Sequence, residues 1–214
     1  MNEKISSLAF SLAPGIGPKR YQSLLRIFGS AKIAWKGSEK KLKAAGVGKV
    51  NFAKFDAFRK TFAISEYLEK LRKARVEFIP FGGKYYPESL KKIDNPPIGL
   101  FTKGDQKLLL GPQKIAVVGS RKITSYGKEV TENLVSELCS AGFVIVSGMA
   151  LGVDGLAHKS AIDNQGSTIA VLGCGVDCPY PRENEKLYED ILDSGGLVIS
   201  EYPLGMSASK GTFP

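Results

Sequence analysis

The chain has a single histidine, a single tryptophan and three cysteines in 214 residues. One histidine leaves little to build a metal site from. Cys174 and Cys178 sit close together, but two thiols with no histidine nearby make a poor zinc site. An odd cysteine count in an α/β pattern fits reduced thiols in a cytoplasm better than a disulfide framework. No stretch approaches the roughly 18 apolar residues of a membrane span. The start, Met1-Asn-Glu-Lys-Ile5, has neither the basic opening nor the apolar run of a signal peptide. Neither G-x-G-x-x-G nor a P-loop occurs, which disfavours a nicotinamide cofactor and a phosphate-loop ATPase. No metal and no cofactor are expected. Low-complexity sequence is missing too.

What is present is ordinary in bulk and uneven in detail. A hydrophobic content of 43% and a charged content of 24% are those of a soluble globular protein. The length allows one good core plus a smaller module. The net charge of +9 is not spread evenly. Residues 1–73 carry 16 Lys/Arg against 5 Asp/Glu, whereas residues 112–214 carry 8 against 12. A net +11 packed into a small module favours a polyanion or a phosphate-rich surface. The acidic second half requires any anion site there to be local.

Periodicity divides the chain into three parts. Residues 1–73 read as a small basic helical domain. Its expected helices include one over Ile5–Phe10, one opening at Pro18 with Tyr21, Leu24, Leu25 and Phe28 on one face, and a long one over about 51–74. Phe52, Phe55, Phe58, Phe62, Leu68 and Leu71 form that last helix's expected buried stripe. Residues 74–111 read as a hinge-like extension with short strands at 76–79 and 98–101. From 112 onward apolar runs alternate with helices expected near 126–141, 154–165 and 183–194. The runs at 115–118, 143–146, 169–172 and 197–200 read as buried parallel strands. This alternation predicts an α/β, Rossmann-like domain with a mostly parallel sheet.

Ligands of such sheets bind beyond the carboxyl ends of the strands, so the turns there are the candidate site. Gly119-Ser120-Arg121 leaves the first strand. Glycine lets a ligand approach the backbone, serine can donate to a phosphate oxygen, and arginine offers a two-pronged donor. Ser147-Gly148 with Gly152-Val-Asp154 forms the second turn. Asp154 there fits helix capping better than catalysis, and His158, four residues on, fits a structural histidine lining the site. Lys159 follows it. The third turn is Gly173-Cys-Gly175-Val-Asp177, with Arg182 as a phosphate contact and Asn184 as a loop support. Cys174 reads as a small filler rather than a reactive thiol. In the first domain, Gly15-Ile-Gly17-Pro-Lys19-Arg20 joins two helices in a hairpin resembling the helix-hairpin-helix module of DNA-binding proteins. There it would make a secondary DNA contact. Ala45-Gly-Val-Gly-Lys49 is a weaker copy. In both hairpins the plain alternative is a tight corner beside solvated lysines.

Taken in order, these turns resemble one family. Val117-Val-Gly-Ser-Arg121 with Thr124-x-Tyr-Gly127, Ser147-Gly-x-Ala-x-Gly-x-Asp154 with Ala157-His158, and Thr168-Ile-Ala-Val-Leu-Gly-x-Gly-x-Asp177 with Tyr180-Pro181 and Asn184 are similar to the DNA-processing protein A family (DprA, also called Smf). Ser200-Glu-Tyr202 and Phe213-Pro214 agree, as do Tyr86-Pro87, Pro96-Pro97 and Leu100-Phe-x-Lys-Gly104 in the extension. The resemblance implies an extended Rossmann-like domain that binds single-stranded DNA without catalysis or cofactor. It also implies protection of incoming DNA, help in loading the RecA recombinase during natural transformation, and a homodimer. Gly119, Ser120 and Arg121 would line the DNA pocket, with the Ser147–Asp154 and Gly173–Asp177 turns around it. Two departures stand out. Ser167 occupies a position often basic in the family, with Lys159 or Arg182 as substitutes. The chain also ends where the family usually continues, which predicts a truncated protein with a weaker dimer. The alternative function is a nucleotide or phosphoribosyl hydrolase of a related Rossmann-like class, for which Glu201 is the one strand-end carboxylate.

Overall fold

The computed structural model describes residues 1–111 and 113–212. The Phe213-Pro214 motif lies outside the described residues. Two compact units divide the chain, residues 1–100 and 101–214, so the expected 74–111 extension is shared between them.

The first unit is built from α1 (Glu3–Leu12), α2 (Pro18–Phe28), α3 (Ala31–Trp35), α4 (Glu39–Ala44), α5 (Lys49–Thr61) and α6 (Ile64–Ala74), followed by β1 (Glu77–Pro80) and a single turn, α7 (Glu88–Lys91). Aromatic rings close its core. Phe10 stacks on Phe55 at 5.4 Å and meets Trp35 edge-on at 5.1 Å. Tyr21 is buried with its hydroxyl donating to Ser7 Oγ at 2.8 Å, and burial pushes the phenol up to about 12. The side chain of Glu3 reaches across to accept from the Ala31 and Lys32 amides at 2.6 and 3.0 Å, satisfying the first turn of α3. The long helix expected over 51–74 is two helices. Phe62 leaves the helical conformation (φ −71°, ψ 112°) and its ring stacks on Phe58 at 4.5 Å. That contact is made at the chain break, and periodicity alone does not register it. On the expected stripe Phe55 and Leu71 are buried, while the other four are half-buried.

The second unit takes most of β2 (Gly99–Gly104) and continues through β3 (Lys114–Ala116), α8 (Ser125–Ser140), β4 (Val144–Ser147), α9 (Val153–Asp163), β5 (Thr168–Val171), α10 (Glu185–Asp193) and β6 (Leu197–Ser200). Its strand order is β2-β6-β5-β4-β3. The pairs β3·β4, β4·β5 and β5·β6 are parallel, while β2 runs antiparallel to β6 with Phe101 opposite Ser200. The sheet is therefore mixed and mostly parallel, and β3 to β6 all end at one edge. Val117, Val135, Ile145, Ala157 and Ala161 form the core between the sheet and helices α8 and α9. Along β4, β5 and β6 the apolar runs are mostly buried, while Val146 and Ile199 are half-buried and Val171 is exposed. Among the described residues no helix is long and apolar enough to cross a membrane.

Candidate nucleic-acid interface

The register brings the ends of β3, β4 and β5 side by side, with Ala116 opposite Val146 and Ser147 opposite Ala170. Three turns therefore share one rim. Asp154 ties the first two together. Its carboxylate accepts from the Gly119 amide at 3.4 Å through Oδ1 and from the Gly148 amide at 3.2 Å through Oδ2. It is 8% exposed. The N-cap of α9 is Gly152, with no side-chain cap. Asp154 is thus a clamp between two turns and not the helix cap the sequence suggested.

The turns also approach each other through backbone. The Val153 amide donates to Ser120 O at 3.1 Å. Gly152 sits at φ 82°, and a Cβ there would collide with Ser120 O. At Gly119 a Cβ would lie 2.8 Å from Val153 Cγ2. Both glycines are required by the close approach of the two turns.

Several candidate residues turn out to be supports. Ser147 is 3% exposed and its hydroxyl donates to Val117 O at 2.7 Å, so it holds β3 against β4 and does not face solvent. His158 is fully buried. Thr168 Oγ1 donates to Ile145 O at 2.9 Å, so its 2.7 Å contact with His158 Nδ1 makes that nitrogen the donor. Nε2 is left without a hydrogen-bond partner, and burial pushes the imidazole down to about 4. It is a neutral internal residue, out of reach of a ligand. Gly175 is buried and donates to Met206 O at 2.8 Å, while Asp177 accepts from the Gly205 amide at 2.9 and 3.0 Å. Asn184 Nδ2 donates to Met149 O at 2.7 Å and Ala150 O at 3.2 Å, the loop support expected of it. Cys174 is buried and its thiol is raised to about 11 by burial.

Gly119, Ser120 and Arg121 remain exposed on the rim, with Lys122, Leu151 and Val171 beside the same turns; Gly148, Gly152 and Gly173 are half-buried. Ser120 closes a small turn, its hydroxyl donating to Lys122 O at 2.9 Å and accepting from the Lys122 amide at 3.1 Å. Lys159 and Arg182 are exposed too. Arg121, Lys122, Lys159 and Arg182 form no ion pair among the described residues. Lys122 is a rim residue that the motifs do not single out; its one sequence signal is that it directly follows Arg121. Met149, buried at φ 58°, has no such signal, because nothing in a methionine announces a left-handed backbone. Ser167 stands just before β5, at the far end of that strand from Val171, about 13 Å along at the usual strand rise. The basic residue it replaces is therefore not missing from this rim. Glu201, exposed beyond β6, has its carboxyl raised by desolvation. Among the described residues no group of three or more His, Cys, Asp or Glu could hold a metal.

The helical candidates lie in two matching turns. Gly15 (φ 80°) and Gly46 (φ 87°) reverse the chain. Ile16 and Val47, 5% and 0% exposed, plug the core. Gly17 and Gly48 are the N-caps of α2 and α5, neither with a side-chain cap. A Cβ on Gly15 would lie 2.8 Å from Asn51 Oδ1, which places the first turn against the start of α5. Lys19 and Arg20 are exposed, and Arg20 Nη1 donates to Gly15 O at 3.3 Å.

Residues 77–214 match the family described as DNA recombination-mediator protein A. The DNA processing protein DprA of Bacillus subtilis is 42% identical over 147 residues, covering 69% of this chain and 49% of its own length. Protein Smf of Synechocystis is 34% identical over 217 residues, covering 100% of this chain and 54% of its own. The chain thus spans about half the length of these curated relatives. The structure of DNA processing protein A from Streptococcus pneumoniae superposes with a TM-score of 0.83 at 29% identity, covering 100% of this chain and 73% of that one. A structure of the Helicobacter pylori protein, concerned with its single-stranded DNA binding mode, gives 0.58 at 37% identity over 65% of this chain and 61% of that one. With its ordered motifs, its mostly parallel sheet and a family match over residues 77–214, the chain belongs to the DNA recombination-mediator protein A family.

Proposed function

We propose that the rim formed by the first two turns of the second unit binds single-stranded DNA independently of sequence, without catalysis. The observation that carries this reading is the exposed pair Arg121 and Lys122, free of acidic partners among the described residues, in a half otherwise net negative. A local cation pair at a narrow rim suits a flexible strand that can bend into it. A stiff duplex would also meet the surrounding acids. The Helicobacter relative's single-stranded DNA binding supports the choice of ligand.

The wider role follows the family: the chain protects incoming DNA, assists RecA loading in natural transformation, and acts as a homodimer in the cytoplasm. Gly119, Ser120, Gly148 and Gly152 shape the rim, Arg121, Lys122 and Arg182 supply charge, and Lys159 adds to it from α9. The hydrolase alternative gains nothing from the geometry. Asp154 is spent on two amides and His158 is buried and neutral. Glu201 is exposed beyond β6, and its charge adds to burial in raising the neighbouring Tyr202 phenol. The test is fluorescence anisotropy with labelled single-stranded oligonucleotides. Arg121→Ala is expected to weaken binding about tenfold or more, the worth of one charge-assisted hydrogen bond. Unchanged affinity with a native circular dichroism spectrum would remove the rim from the interface.

A further inference from the structure

We propose that Tyr126 and Tyr180 are the surfaces on which unpaired bases stack when a single strand lies along the rim. The inference rests on the single-strand reading of that rim and adds to it the groups that hold the bases. Among the described aromatic residues of the second unit, Phe101 and Tyr188 are buried, and Phe143 and Tyr202 are half-buried. Tyr126 and Tyr180 are the exposed ones, at 77% and 50%.

Their positions flank the rim. Tyr126 lies in the first turn of α8, soon after Arg121, where the Thr124 hydroxyl caps the helix by accepting from the Gly127 amide at 3.1 Å. Side chains of an α-helix tilt toward its N-terminus, which aims the Tyr126 ring back at the first turn. Tyr180 follows the third turn. The Asn184 amide donates to Pro181 O at 3.1 Å, and its side chain bonds to Met149 O and Ala150 O. The loop carrying Tyr180 is thereby fastened to the second turn. The first and third turns leave strands two places apart in the sheet, about 10 Å at the usual spacing. Val118, Leu151 and Val171 are exposed along the same edge.

Apolar side chains exposed singly are ordinary on a protein surface. Here they are grouped, on one sheet edge that also carries the Arg121 and Lys122 cations. Charge does not account for Tyr180, because Arg182 and Glu183 beside it are opposite in sign. What it offers is a ring face. Every base has a π-face, so stacking on tyrosine holds a strand without regard to sequence and requires that the bases be unpaired. The cations and the rings thus divide the ligand: Arg121 and Lys122 take phosphates, and the two tyrosines take bases. A duplex keeps its bases stacked on one another and gains nothing from the rings.

The experiment uses the full chain, a labelled single-stranded oligonucleotide and an abasic strand of the same length, each titrated by anisotropy across a range of salt. Tyr126→Ala and Tyr180→Ala are each expected to weaken binding of the base-bearing strand about fivefold or more, the worth of one stacked base. The salt slope should stay as in the wild type, because no phosphate contact is lost. Arg121→Ala, by contrast, should flatten it by about 0.7. Tyr126→Phe and Tyr180→Phe should bind like the wild type, since the ring and not the hydroxyl is used. The abasic strand should bind the wild type more weakly and lose nothing further in the alanine variants. Wild-type affinity in either alanine variant would overturn the proposal. So would an equal loss on the abasic strand, or a loss that the phenylalanine variants share. Failure of the single-strand reading itself would show separately, as affinity and salt slope that both survive Arg121→Ala.

Discussion

The two units use glycine-rich turns in opposite ways. In the second unit the turn amides are already spent: Gly119 and Gly148 donate to the Asp154 carboxylate. In the first unit Gly17 and Gly48 open their helices with no side-chain cap. An internal carboxylate thus takes up the turn amides in one unit, and no side-chain cap does so in the other. The lesson is that a glycine turn at a helix start does not identify a phosphate site. Where the amides point decides it. In the second unit the exposed cations beside these turns are Arg121 and Lys122; in the first they are Lys19 and Arg20.

The largest expected effect separates the two kinds of glycine. Gly152→Ala must place a Cβ against Ser120 O at a backbone conformation L-residues avoid. It should cost roughly 3 kcal/mol or more, seen as a lowered denaturation midpoint. Gly17→Asp, with open space around it, should cost nothing. Equal destabilisation at both positions would erase the contrast.

Next comes a pH effect confined to the second unit, which holds the single histidine. Folding lowers the His158 pKa from an ordinary 6.5 to about 4. Its contribution is complete above pH 6.5, where both folded and unfolded forms are neutral. It is lost as pH falls towards 4, because the unfolded chain takes up a proton that the folded chain refuses. The loss is on the order of 3 kcal/mol. Thermal melts between pH 7 and 4 should show it, and His158→Gln should remove that component. An identical acid dependence in the variant would contradict the buried, neutral assignment.

Smaller again is the difference between cations at and away from the rim. Lys122→Ala should weaken single-strand binding by roughly 0.5–1.5 kcal/mol, less than Arg121→Ala, since a lysine makes a point contact where arginine makes a fork. Lys70→Ala on exposed α6 should change single-strand binding by less than about 0.5 kcal/mol. Anisotropy at one fixed salt concentration ranks all three, and a Lys70 effect as large as that of Arg121 would make the binding diffuse.

Much of this is legible in the sequence, for identifiable reasons. The run Leu197–Ser200 marks its strand to the residue, because a buried strand leaves an uninterrupted apolar signature. The order of turns along the sheet edge follows from the βα alternation. The division of labour within the edge is not legible. Ser147, His158 and Gly175 carry the same residue types whether they face a ligand or hold neighbouring loops. Only the hydrogen bonds to Val117, Thr168 and Met206 distinguish the two. The break between α5 and α6 is hidden because Phe58 and Phe62 keep helical spacing across it, and the ring stack that accompanies the turn is a tertiary contact.

The most direct test of the proposed function locates the single strand on the full chain. A single-stranded oligonucleotide carrying a photoreactive base is cross-linked to the protein, and the modified peptides are identified by mass spectrometry. The account predicts cross-links within residues 119–122 and 148–152, lost in Arg121→Ala. Cross-links confined to residues 1–74 and unaffected by that substitution would contradict it.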